Sequence, residues 1–175
     1  MGTHSKILVF FLLLILFQAA WGEPAVKSFI SDDGAFSIRL DEDYRQVENP
    51  NAVMSLFLPE LAFFIVCVEA PGVSDTPAQV KEAWPKSTEA TILSSQTGKV
   101  GGRGAAFFVE ENLFQPDGKA IEAMGLSSGS SFQSVVAIVP GSTKSYFMQA
   151  HYPKEQSKLG RKLALTIFVK AVVWH

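Results

Sequence analysis

Residues 36–40, Phe-Ser-Ile-Arg-Leu, alternate apolar and polar side chains, which predicts a half-buried strand with Phe36, Ile38 and Leu40 on one face. Asp33-Gly34 just ahead is a turn signal, so residues 28–31, if extended, complete a hairpin. Asp41-Glu42-Asp43 stops the pattern with three like charges, and Glu48-Asn49-Pro50-Asn51 reads as a loop. Residues 53–58 form a second apolar run, followed by a tight Pro59-Glu60 connection. Residues 61–68 are apolar at every position and rich in Phe and Val, which predicts a central strand covered on both faces.

The first helix signal lies at residues 75–79. Thr76 fits the N-cap, Pro77 the first helical position and Gln79 the third, which is a capping box with proline where its missing N–H costs nothing. Val80, Ala83 and Trp84 share one helical face, and Pro85 forces a short or kinked helix. A meander then follows. Strands are predicted at 91–97, 100–111, 119–126, 131–139 and 144–152. The turns between them fall at Gly98-Lys99, Gln115-Pro116-Asp117-Gly118, residues 127–130 and Pro140-Gly141-Ser142. Residues 154–170 close the chain as a helix, with Leu159, Leu163, Ile167 and Ala171 repeating every four residues and Leu165, Phe168, Val169 and Val172 on the flank. Gly160 weakens that helix by about 1 kcal/mol relative to Ala. Two amphipathic helices over a mostly antiparallel sheet argue for α+β rather than a sandwich or barrel.

Residues 1–22 stand apart from this pattern. Lys6 precedes an unbroken apolar run at 7–17, and Ala20 and Gly22 occupy the −3 and −1 positions before Glu23. This is the tripartite pattern of a secretory signal peptide. The run falls short of the roughly 20 apolar residues that span a bilayer, which favours cleavage over a retained anchor, and no Cys stands at the cleavage point for a lipoprotein anchor. The expectation is a single domain at 23–175 in a secreted or periplasmic protein. Lys6 is the only charge lost on cleavage, so the net charge moves from −2 to −3. The remainder is uneven: residues 23–75 carry ten acids and three bases, residues 76–175 seven acids and eleven bases. Such halves either form opposed faces or interleave on folding. Neither carries the dense basic stripe of a nucleic-acid binder.

The opening strand at 33–40, a strand ending before a capped helix, Val100-Gly101-Gly102-Arg103-Gly104-Ala105 entering a long strand, and Tyr146-Phe147-Met148-Gln149-Ala150 before a closing helix together resemble the PsbP/Mog-like superfamily, which includes DcrB-like bacterial envelope proteins. The resemblance covers most of residues 23–175. It implies an antiparallel sheet of about 6–8 strands, largely a meander, between helices in an α/β/α sandwich. It implies no common activity. Members are mostly non-enzymatic protein partners, such as the extrinsic photosystem subunit, a Ran-binding protein and envelope proteins.

Candidate chemistry is sparse. Cys67 sits in an apolar run and reads as a buried small hydrophobe. His151, beside Tyr152-Pro153, reads as a surface residue or one at the start of the helix, and His175 as frayed. No catalytic, cofactor-binding or metal-binding residue is assigned, and no cofactor is expected: two His and one Cys are too few for a zinc site, and the acidic turns lack calcium-loop spacing. The glycines at 98–104 open a strand rather than a helix, so they read as a bulge or a close backbone approach and not as a phosphate loop. Trp84 and Arg103 are the candidate partner-binding residues: an aromatic at a helix end, and a guanidinium fork for a carboxylate. The expected function is an exported, non-enzymatic envelope protein that binds a protein partner. One alternative is a small-molecule carrier with Phe63, Phe64, Phe107 and Phe108 among its cavity walls. Another is a hydrolase using His151 with an acid.

Overall fold

A computed structural model describes residues 26–41, 43–112 and 132–175. The expected signal peptide and the strand and turns expected between 115 and 130 lie outside these residues. In chain order the elements are β1 (Val26–Ile30), β2 (Phe36–Asp41), β3 (Arg45–Gln46), β4 (Met54–Leu58), β5 (Phe63–Pro71), α1 (Pro77–Ala83), β6 (Thr91–Val100), β7 (Arg103–Asn112), β8 (Phe132–Val139), β9 (Lys144–Pro153), α2 (Ser157–Thr166) and β10 (Val172–Trp174).

The hairpin around Asp33-Gly34 forms as its alternation predicts. β1 and β2 pair with Phe29 opposite Ile38, Gly34 adopts φ 69°, and Ser31 Oγ donates to the Phe36 carbonyl at 3.0 Å. β10 adds to the other edge of β2, giving a three-stranded antiparallel sheet. The large sheet has seven antiparallel strands in the order β3-β4-β5-β9-β8-β7-β6. It consists of two meanders joined where β5 meets β9, with Ile65 opposite Ala150.

Because side chains alternate along a strand, the large sheet has two cores. On one face Ile65, Cys67, Val135, Ala137 and Met148 meet Phe36 and Ile38 of the small sheet and Ala164, Ile167 and Phe168 near the C-terminus. On the other, Ala106, Phe108, Val136 and Ile138 meet Val80 of α1. The architecture is α+β, with the seven-stranded sheet between α1 on one side and α2 with the small sheet on the other.

Several expectations are corrected. β5 is not covered on both faces: Phe63, Ile65 and Cys67 are buried while Phe64, Val66 and Val68 are half-buried. α1 packs mainly over β6, β7 and β8. The turn expected at Gly98-Lys99 lies at Gly101-Gly102, whose φ values of 51° and 90° suit a two-residue hairpin turn, and β6 runs on to Val100. Gly101 is also a close approach, since a Cβ there would lie 2.5 Å from the Val172 carbonyl oxygen. The bulge falls instead at Leu93, which the β6–β7 register skips.

The closing helix is also broken and rotated relative to expectation. A 3₁₀ turn at Lys154–Gln156 leads into α2, and a π turn at Ile167–Ala171 ends it. Its buried face is Gly160, Ala164, Ile167 and Phe168, while Leu159 and Val169 are each about half exposed. Gly160 sets this phase: a Cβ on it would lie 2.3 Å from Cγ of the Tyr152 ring. The glycine is the contact through which the helix seats on β9, not a weak point in it.

Candidate functional site

The capping box read in the sequence fixes where α1 begins. Thr76 Oγ1 accepts from the Gln79 N–H at 3.4 Å, and Gln79 Oε1 accepts from the Thr76 N–H at 2.8 Å. The segment before it is fastened to the β8–β9 turn. The Gly72 N–H donates to the Thr143 carbonyl at 3.0 Å and the Val73 N–H to Ser145 Oγ at 3.3 Å. Gly72 has no room for a side chain, with the Ser142 carbonyl oxygen 2.4 Å from where a Cβ would stand.

Between this fastened segment and α1 a groove of about 420 Å³ remains open. Trp84, Phe147 and Ile138 form its apolar walls, Val80 and Ala83 line it from α1, and the exposed carboxylate of Asp75 stands on its rim. Trp84 is held from two sides. Its ring packs on Phe108 and Phe147, at centroid distances of 6.1 and 5.6 Å, and its Nε1–H donates to Glu110 Oε1 at 2.6 Å. Glu110 is only 4% exposed, so the indole both packs and satisfies a buried carboxylate.

Trp84 and Arg103 do not form one site. Trp84 belongs to the α1 face, whereas the Arg103 guanidinium lies 4.2 Å from the ring centroid of Trp174, which packs with the opposite core. Trp174 is itself clamped by Phe36 and Tyr146 at 5.3 and 5.4 Å and donates to the Val100 carbonyl at 2.8 Å. Beside it, the Tyr146 hydroxyl donates to Asp33 Oδ2 at 2.6 Å, and Lys144 Nζ lies 2.7 Å from Glu69 and 3.6 Å from Asp33. Burial opposes ionisation of Asp33, but hydrogen bonds from Tyr146, Ser31 and the Ala35 N–H, together with the Lys144 charge, outweigh it and hold the carboxyl at about 2.

The groups weighed for catalysis are placed as follows. Cys67 is fully buried, and burial pushes its thiol well above the ordinary range. His151 is not a surface residue. It lies half-buried on β9, its Nδ1 is 2.8 Å from Ser134 Oγ, and burial pushes its pKa down to about 4. This pair has the spacing of a nucleophile and base, but Ser134 is only 1% exposed, sealed in the sheet where a substrate has no approach. His175 is not frayed: its N–H donates to the Ala35 carbonyl at 2.9 Å and its Nε2 lies 3.1 Å from Ser37 Oγ. Phe63, Phe107 and Phe108 are core residues and Phe64 is half-buried on the sheet face, and none of the four lines the groove beside Trp84. Trp84 was legible as a candidate. Phe147 and Ile138, its companions in the groove, were not, because their nearness to α1 depends on strand order rather than on any local spacing.

No family model matches the sequence, and no curated protein matches it in sequence. The solved structures similar to it include the cyanobacterial PsbP of Synechocystis sp. PCC 6803, with TM-score 0.60 and 8% identity over 89% of this chain and 95% of that one. They also include the Saccharomyces cerevisiae Ran-binding protein Mog1p, with TM-score 0.53 and 12% identity over 86% and 95%. A third is LpqN, involved in cell envelope biogenesis of Mycobacterium tuberculosis, with TM-score 0.53 and 12% identity over 85% and 90%. The antiparallel sheet layered between helices and these likenesses agree: the chain has the PsbP/Mog-like fold.

Proposed function

We propose that the chain is an exported, non-enzymatic binding protein of the cell envelope that engages a protein partner through the groove beside Trp84. The observation that carries this reading is the chemistry of the groove. Its walls are apolar and aromatic, it opens to solvent, and its lining contains neither His nor Cys. Trp84 and Phe147 offer the rigid aromatic surface on which an aliphatic or aromatic side chain of a partner packs, and Asp75 on the rim suits a basic residue flanking it. Export rests on residues 1–22, whose apolar run and small-residue flank give a chain starting at Glu23. Mog1p is a Ran-binding protein and LpqN takes part in envelope biogenesis; these support the reading by likeness of fold alone.

A photo-crosslinking residue in place of Ala83, on the exposed lip of the groove, is expected to trap a protein in the native source. The same residue in place of Glu60, in the turn between β4 and β5, is expected to trap none. Equal trapping at both positions, or a mature N-terminus at Met1, contradicts the reading. The carrier reading stays second on one observation: about 420 Å³ with apolar walls is within the size range of small-molecule sites. A lipid or other small molecule retained through native mass spectrometry, with no protein trapped at position 83, favours it.

A further inference from the structure

A second groove, of about 580 Å³, runs between α2 and the β6–β7 edge of the large sheet, on the face opposite Trp84. Leu93, Val109 and Leu165 are its apolar lining, and Lys158, Arg161 and Lys162 stand over it from α2. Leu93 is the residue the β6–β7 register skips, and it is 48% exposed.

The three bases fall at i, i+3 and i+4, so they crowd one helical face and repel one another. Two other bases of this half of the chain are matched, Lys144 between Glu69 and Asp33 and Lys154 with Glu111. Among the described residues no carboxylate comes within ion-pair distance of Lys158, Arg161 or Lys162; Arg161 reaches only Ser94 Oγ, at 3.4 Å, and Glu111 is engaged by Lys154 and Gln133. In a chain of net charge −2, this is a concentrated positive field over an apolar floor, uncompensated among the described residues. Beside it, β6 is an edge strand of the large sheet, so its outward backbone groups have no strand partner among the described residues.

We propose that the α2–β6 groove is a docking site for an extended acidic segment of a partner protein. Its carboxylates meet Lys158, Arg161 and Lys162, an aliphatic side chain rests on Leu93, Val109 and Leu165, and its backbone runs along the β6 edge. A polypeptide fits better than a hydrocarbon amphiphile because it uses the free strand edge as well as the charges and the floor. The site is independent of the groove beside Trp84.

The probe is a short fluorescent peptide of alternating Glu and Leu, with matched peptides of Lys and Leu and of Glu and Ser, read by anisotropy against the purified domain. The Glu-Leu peptide is expected to bind, to weaken as salt shortens the Debye length below about 10 Å, and to be preferred over both controls. The triple variant Lys158→Gln, Arg161→Gln, Lys162→Gln is expected to weaken binding by roughly tenfold or more, with its urea midpoint unchanged or raised because like charges are removed. Leu93→Ser, which leaves the charges in place, is expected to weaken it severalfold. No binding of the Glu-Leu peptide, or equal affinity in the triple variant, overturns the proposal. So does binding to phosphatidylglycerol vesicles that the triple variant loses while the peptide does not bind, since the charges would then serve a membrane surface.

Discussion

Gly160 sits where α2 crosses Tyr152, and the contact leaves no space for a methyl group. Helix propensity alone makes Gly160→Ala a gain of about 1 kcal/mol. The Tyr152 ring reverses the sign, because overpacking a close contact costs about 1–3 kcal/mol. Urea melts are expected to show Gly160→Ala destabilised by about that much, with Leu159→Ala, on the exposed side, within about 0.5 kcal/mol of wild type. His151 makes a separate prediction. Its pKa of about 4 in the fold lies below the ordinary 6.5, so above pH 6.5 both folded and unfolded chains hold it neutral and it contributes no pH dependence. As pH falls from 6.5 to about 4 the unfolded chain takes up the proton and the folded one resists, so stability drops by about 1–3 kcal/mol. His151→Asn, which keeps an amide where Nδ1 meets Ser134, is expected to flatten this window; an unchanged slope contradicts the assignment. Asp33 works lower. Its carboxyl is held at about 2 against 3.8, so its stabilisation is present above 3.8 and is lost as pH falls from there through 2.

At the scale of elements, α1 is one short helix fixed at both ends. The capping box holds its start, and the bond from Trp84 to buried Glu110 holds its finish. Trp84→Phe keeps the ring packing but takes the indole donor from a buried carboxylate, so it is expected to cost about 1.5–3 kcal/mol. Glu110→Gln, which retains the acceptor oxygen, is expected to cost less; equal melts for wild type and Trp84→Phe contradict the fastening. Much of this level was legible in the chain. Thr76-Pro77-Ala78-Gln79 gave the helix start and Phe36-Ser37-Ile38-Arg39-Leu40 its strand, because both signals are local and periodic. The rest depends on distant partners. β10 is three residues long, and although an extended end at 172–174 can be read locally, its pairing with β2, which makes the small sheet, has no local signal. The phase of α2 was only partly legible: Leu163 does pack against the core, but Leu159 looked like part of the same face and is half exposed, because the close fit of Gly160 to Tyr152 sets the rotation. The groove beside Trp84 was half legible, the indole by its place at a helix end, and Phe147 and Ile138 only once the strands are in order.

For the whole molecule, the seven-stranded sheet separates two surfaces of different chemistry. One carries the apolar groove of α1 with Asp75 on its rim, the other the basic groove of α2. The acidic and basic halves of the sequence partly interleave, since Lys144 bridges Asp33 and Glu69, and a cationic surplus gathers on α2. The groove beside Trp84 is the proposed binding site. Ala83→Lys tests it most directly, because residue 83 is exposed on the groove's lip and a lysine in the last turn of α1 suits the helix dipole. Immobilised wild-type and Ala83→Lys domains would be compared, in an extract of the native source, for capture of the protein trapped at position 83. The account predicts unchanged urea melts and capture reduced roughly tenfold or more, as expected when a charge is driven into an apolar contact. Equal capture by two equally stable proteins contradicts it.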